Sequence, residues 1–273
     1  MKQIYKIEIR RAFLNKRMLF SLTAGIIICA VHFVQWLPTT FDYLKTPEGT
    51  ILSFYPANVF SEWICSNNYN WEQYVYFLIF PLLACIPYGA SLYDDWNGGY
   101  AKNIIIKRRK RDYFRAKWLA VFLSGGVSVT VPLILNFLAF LTIAPVNKPE
   151  IASLFYAVGG DNILAPLFYH YPFAYLILYM CIDFIYGGIL AGICLVMTNM
   201  TQRRFVVEVT PLFIYIFLYA VIALMSEQEY SPVSFLNMGS GTMHYAYMTV
   251  FALVVAGVIT VYVEYSGRKG ELY

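Results

Sequence analysis

The sequence predicts an all-α membrane protein, a single transmembrane domain (residues 1–273) of six transmembrane helices with both termini in the cytoplasm. Of its 273 residues, 59% are hydrophobic and 13% charged, and the mean hydropathy is +0.57, a balance too apolar for a water-soluble domain. The apolar residues gather into six runs, at 18–37, 74–93, 118–143, 172–197, 206–225 and 246–262. Most approach the roughly 20 residues that cross a ~30 Å hydrocarbon core. When these runs are threaded alternately, the connecting segments separate by charge. Every Lys and Arg except Lys45 and Lys148 falls on one side, while Asp42, Glu48, Glu62, Glu72, Glu150, Asp161, Glu227 and Glu229 fall on the other. Basic residues close to spans stay inside, so the basic side is cytoplasmic. The net charge of +4 therefore calls for no nucleic-acid partner.

Each element has its own warrant. Residues 1–17 intersperse Ile4, Ile7, Phe13 and Leu14 with Lys2, Lys6, Arg10, Arg11, Lys16 and Arg17, the pattern of an amphipathic helix lying in the inner interface against membrane lipid. Span one ends at Pro38. The loop 39–73, with Trp63 and Trp71, is too aromatic for a disordered linker and reads as a cap on the outer surface. Pro81 and Pro87 predict a loosened span two, its freed carbonyls taken by neighbouring helices. Gly125, Gly126, Ser124 and Ser128 in span three, and Gly188 with Gly192 in span four, are small residues that allow close helix approach. A short helix is expected at 150–158, and the loop 226–245 is expected to dip into the outer leaflet. Cys65 alone lies in an outer loop, where an intermolecular disulfide is conceivable, and the other cysteines read as small core residues. No small-x-small cleavage site follows the first apolar run.

The densest information lies in 94–117, a basic island between spans two and three. Tyr100 to Ile106 reads as a short helix launched by a turn at Gly98-Gly99. Asp95, Gly99, Lys102-Asn103, an apolar run, the cluster Lys107 to Arg111, then Tyr113-Phe114 and Lys117 together resemble the loop between spans two and three of the ABC type-2 exporter permeases. Glu8, ahead of a basic and apolar run leading into span one, resembles the entry of the same family. The resemblance implies that the island is a cytoplasmic coupling helix receiving motion from an ATPase subunit. Asp95, Gly98, Gly99, Lys102, Asn103, Arg108, Arg109, Arg111, Tyr113, Lys117 and Glu8 would carry that coupling. It further implies two copies of a P-loop ATPase, a second permease half forming a homo- or heterodimer, and a bacterial cytoplasmic membrane. The expected substrate is an amphipathic molecule such as an antimicrobial peptide. Glycine at two successive positions and the density of basic residues depart from the family pattern.

No G-x-x-x-x-G-K-[ST] occurs, so ATP and magnesium are expected on the partner chain and no cofactor on this one. No catalytic residue or metal ligand set is expected either, since His32, His170 and His244 are far apart and no H-E-x-x-H is present. Two residues are candidates for a substrate pathway: Asp183, the acid deep in span four, and His32 in span one, its conceivable partner. An acid at the centre of a bilayer costs about 2.5–3.5 kcal/mol and marks a function or an interhelical bond. The competing reading is a secondary transporter or channel with no ATPase, which would carry its coupling charges within the membrane.

Overall fold

The computed structural model describes residues 2–45, 58–66, 70–107, 109–150, 156, 158–159, 162–225, 230–238 and 245–268. The described residues form α-helices and their connections: α1 (Lys2–Phe13), α2 (Lys16–Lys45), α3 (Val59–Glu62), α4 (Trp71–Cys85), α5 (Ser91–Asn97), α6 (Tyr100–Lys107), α7 (Lys110–Leu141), α8 (Ala165–His170), α9 (Pro172–Met197), α10 (Arg204–Leu224), α11 (Pro232–Phe235) and α12 (Tyr245–Arg268). Five of them, α2, α7, α9, α10 and α12, are long and apolar enough to cross a membrane.

The span expected at 74–93 is divided. Its helix α4 has 15 residues, roughly 22 Å at 1.5 Å per residue, and a turn at 86–90 separates it from α5. Proline is the cause. Lacking an N–H, Pro81 and Pro87 leave the carbonyls four residues earlier without helical partners. Tyr215 of α10 donates to the Phe77 carbonyl (3.0 Å), and Ser21 of α2 (2.6 Å) and Ser128 of α7 (3.0 Å) donate to the Leu83 carbonyl. The expected satisfaction by neighbouring helices is thus met. Span one differs too, because α2 continues through Pro38 to Lys45.

Asn15 makes the amino-terminal corner. Its Oδ1 accepts from the Met18 N–H (2.7 Å), capping α2, while its Nδ2 lies within reach of the carbonyls of Arg11 (2.9 Å), Ala12 (2.7 Å) and Pro87 (3.2 Å). One amide therefore ends α1, starts α2 and ties both to the α4–α5 turn.

At the centre α7 packs most extensively against α9. Glycines set the spacing there: a Cβ on Gly125 would lie 2.6 Å from the Ala191 Cβ, and one on Gly187 2.5 Å from Val129. Gly188 and Gly192 fit as tightly against Phe122 and Trp118. The expected close-contact face of α9 is therefore occupied by α7 of the same chain.

Where it is described, the outer loop packs inward against the end of α7 and the segment after it. Val59, Phe60, Trp63, Ile64 and Cys65 are all buried. Trp63 Nε1 donates to the Leu133 carbonyl (3.0 Å), and the Ile64 N–H donates to Asn136 Oδ1 (3.1 Å), both in α7. The segment is folded into the bundle, and Cys65, fully buried, is in no position for an intermolecular disulfide. Most of the helix expected at 150–158 and half of the loop 226–245 lie outside the described residues. The short helix α8 follows the first, and α11 lies within the second.

Candidate functional site

One end of the bundle is held by ion pairs. Arg17 at the start of α2 meets Asp94 of α5 (2.9 Å), and Arg204 at the start of α10 meets both Asp94 (3.2 Å) and Glu208 (2.6 Å). Near the start of α7, Arg111 (2.8 Å) and Arg115 (2.5 Å) grip Glu264 near the end of α12. So α2, α7 and α10 begin at this end and α12 finishes at it.

The buried centre of this end is a network of seven side chains. Lys117 of α7 is wholly excluded from solvent, and its Nζ lies 2.6 Å from Glu8 Oε2 of α1 and 2.6 Å from Asp95 Oδ2 of α5. Tyr88 donates to Glu8 Oε2 (2.7 Å) and Tyr113 to Asp95 Oδ2 (2.6 Å). Arg11 closes the ring: one nitrogen donates to Asp95 Oδ1 (2.7 Å), the other reaches Asp95 Oδ2 (3.2 Å) and Glu8 Oε1 (3.1 Å), and its guanidinium lies 4.2 Å from the centre of the Tyr100 ring. Each carboxylate has more than one cationic neighbour, the condition under which buried charges are tolerated. Burial pushes Asp95 up, but the hydrogen bonds from Arg11, Lys117 and Tyr113 outweigh it and hold the carboxyl below its ordinary range. Burial works against the Arg11 charge, yet Asp95 raises it on balance.

Of the residues the sequence proposes for coupling, Glu8, Asp95, Tyr113 and Lys117 come together here. The turn after Asp95, between α5 and α6, has its left-handed residue at Gly99, at φ +73°, a conformation that favours glycine; Gly98 is in the ordinary helical region. The turn aims α6, whose Tyr100, Ala101, Ile104 and Ile105 face the protein while Lys102, Asn103, Ile106 and Lys107 are exposed. Arg109 is exposed just before α7. Arg111 belongs to the Glu264 clamp, and Arg108 lies outside the described residues.

Sequence reasoning missed Arg11, Tyr88 and Tyr100, and it missed the inner acids Asp94, Glu208 and Glu264 as partners. Glu8 and Arg11 are three residues apart on one helix, a spacing that pairs charges and was the available signal. The other partners come from distant segments and carried none.

The two pathway candidates are not brought together. His32 is buried between Asn70 Nδ2 (3.0 Å from Nε2) and Asn136 Nδ2 (3.3 Å from Nδ1). Asp183 is fully buried in α9, within electrostatic range of Cys65, Tyr76 and Tyr215. Neither of its oxygens has a hydrogen-bond partner among the described residues. The expected Asp183–His32 pair is therefore absent, because the two amides already engage the imidazole. Among the described residues no group of three His, Cys, Asp or Glu is placed to hold a metal ion.

No protein-family model, curated protein or solved structure matches the chain.

Proposed function

We propose that this chain is the membrane half of an ATP-driven exporter of the ABC type-2 kind. The supporting observation is that Glu8, Asp95 and Lys117 fasten α1, α5 and α7 to one another directly behind an exposed α6. Buried ion pairs add little stability over well-packed apolar residues, but they fix geometry, and breaking one is costly. A push on α6 from a partner at this end would pass through the network into α1 and α7, and through α7 into α9.

In this reading α4, the turn at 86–90 and α5 together make a sixth crossing, since α2 carries the chain away from the basic end and α7 begins at it. Six crossings leave both termini on the cytoplasmic side. ATP and magnesium belong to two copies of a partner ATPase, a second permease half completes the pathway, and the cargo is an amphipathic molecule, with peptides the favoured class. The membrane is the bacterial cytoplasmic one.

The test is ATP hydrolysis that co-purifies with the tagged protein from its own membranes. It should accompany the wild type and fall at least tenfold for Lys102→Glu/Asn103→Lys, which alters only exposed positions of α6. Hydrolysis unaffected by that pair of changes, or none with the wild type, would sink the coupling role. The orientation is checked separately: a cysteine at Lys148 should react with an impermeant reagent in intact cells, and one at Arg109 should not. One observation favours the alternative of an ion-coupled secondary transporter, namely the unpartnered Asp183 within the bundle. Transport that follows an imposed proton gradient without nucleotide would decide for it.

A further inference from the structure

Beside the ion network, the α1–α2 corner and the α4–α5 turn line an open cavity of about 400 Å³. Arg11, Lys16 and Arg17 line it from the corner, and Ser91 and Asp94 from α5. Three cations thus face one acid, and that acid is already held by Arg17 and Arg204. Arg11 is answered by Glu8 and Asp95, whereas Lys16 has no ion-pair partner among the described residues.

Two further features call for an anion. Ser91 is 4% exposed, yet its hydroxyl has no hydrogen-bond partner among the described residues, although an unmade bond at a buried hydroxyl costs about 1–3 kcal/mol. The cavity also takes in Asn15, Lys16 and Arg17 at the start of α2, a 30-residue helix. Asn15 caps the Met18 N–H, and the other N–H groups of the first turn have no partner within the helix. Unsatisfied donors and the positive end of the helix dipole at the same place favour a negative group.

We infer that this cavity binds the phosphate of an anionic membrane phospholipid. Its surroundings favour a lipid over a free anion. Leu14, which lines the cavity, and Leu19 and Phe20 just along α2 are exposed at 74%, 64% and 62%, an apolar track along which acyl chains can lie. The cavity sits at the basic end of the bundle, where anionic headgroups are met and where basic pockets between helices bind them. In the site, Lys16 supplies mobile charge at the mouth, Ser91 donates from the floor, and Arg11 and Arg17 set the field without leaving their carboxylates. The inference stands apart from the export reading, since a transporter driven by either energy source could carry this lipid.

The test uses the full chain in detergent, with phosphatidylglycerol, phosphatidylcholine and inorganic phosphate as probes and bound lipid counted by native mass spectrometry. Phosphatidylglycerol should be retained and phosphatidylcholine should not. Lys16→Gln should weaken retention about fivefold, the loss of one cation near an anionic group. Ser91→Ala should weaken it as well, while Lys107→Gln, an exposed cation away from the cavity, should leave it unchanged. Equal weakening by Lys107→Gln and Lys16→Gln would mean diffuse surface attraction and overturn the site. Displacement of the lipid by millimolar inorganic phosphate would assign the cavity to a soluble anion and overturn the lipid assignment. Should Ser91→Ala lower the yield of folded protein, the Lys16→Gln and Lys107→Gln comparison still decides.

Discussion

The basic end of the bundle and its interior treat buried acids in opposite ways. At the basic end Glu8 and Asp95 lie within 3.2 Å of Lys117 or Arg11, and their charge is locked in place. Farther along the bundle, Glu72 and Asp183 are just as buried, yet no oxygen of either has a hydrogen-bond partner among the described residues. Glu62 has only a long bond from Thr40, at 3.4 Å. The first arrangement suits a linkage that must hold its shape. The second involves no ion pair among the described residues, so the acid can be replaced without breaking one.

The largest expected effect tests the linkage. Lys117→Met keeps the length of the side chain but leaves Arg11 as the one cation shared by two buried carboxylates, and should cost about 3–5 kcal/mol of stability, read as a fall in the unfolding midpoint in detergent. Adding Glu8→Gln to Lys117→Met should recover part of that loss, because Arg11 then faces a single buried carboxylate. If Lys117→Met melts like the wild type, the network is not holding α1 and α5 to α7.

Next in size is a pH effect whose sign differs between the two regions. Burial lifts Glu62 to about 7 from an ordinary 4.5, against the small opposing effect of the Thr40 bond. Across that interval the folded protein keeps a proton that the unfolded chain has released. Stability is therefore full below about pH 4.5 and declines as pH rises through about 7. The decline amounts to about 3 kcal/mol at ~1.4 kcal/mol per pH unit. Asp95 behaves the other way: its carboxyl is held below the ordinary 3.8, so its contribution is present above that value and lost on further acidification. Glu62→Gln should flatten the profile between pH 4.5 and 7 and leave the acid limb of Asp95 in place. A wild-type profile already flat over that interval would mean that Glu62 is not enclosed as described.

Legibility in the sequence follows the same division. The basic end could be read because its charges are sparse, typed and clustered in two short segments, so that Glu8, Asp95, Tyr113 and Lys117 stood out through their resemblance to a known pattern. Arg11 and Arg204 did not stand out, because counting basic residues by side explains them without any partner. In the interior, the strong hydropathy of 118–143 and 172–197 announced helices, and paired glycines announced their contact. How deeply the segment 58–66 packs was not legible, because aromatic residues suit an interface as well as a core, and only the hydrogen bonds to Leu133 and Asn136 show it. The halved span at Pro87 was half visible, since proline signals a lost bond but not whether the chain resumes its direction.

A smaller effect probes the seam joining the two regions. Gly125→Leu should cost roughly 1–3 kcal/mol by overpacking, because its side chain would enter the space held by Ala191 and the Gly187 carbonyl, 2.6 and 2.8 Å from a Cβ. The unfolding midpoint reads this directly, and Gly257→Leu, where a Cβ meets nothing within 4 Å, is the control. If both variants melt alike, α7 and α9 are not in close contact.

The smallest expected change in stability is the most informative about function. Asp183→Asn removes no hydrogen bond seen among the described residues, where neither carboxyl oxygen makes one, and it preserves the side chain's shape among its neighbours. The midpoint should therefore move by less than about 1 kcal/mol. The variant does abolish the one carboxylic acid of α9, a group whose charge would cost about 2.5–3.5 kcal/mol at a bilayer centre. In the proposed reading this acid accepts either a proton or a cationic group of the cargo. Export of a cationic amphipathic peptide should then fall by tenfold or more in Asp183→Asn, with folding and any co-purifying basal ATP hydrolysis intact. Asp183→Leu separates the remaining possibility, that the carboxyl is glue between helices: if Asp183→Asn exports normally and Asp183→Leu fails to fold, the acid serves packing and the pathway assignment is wrong.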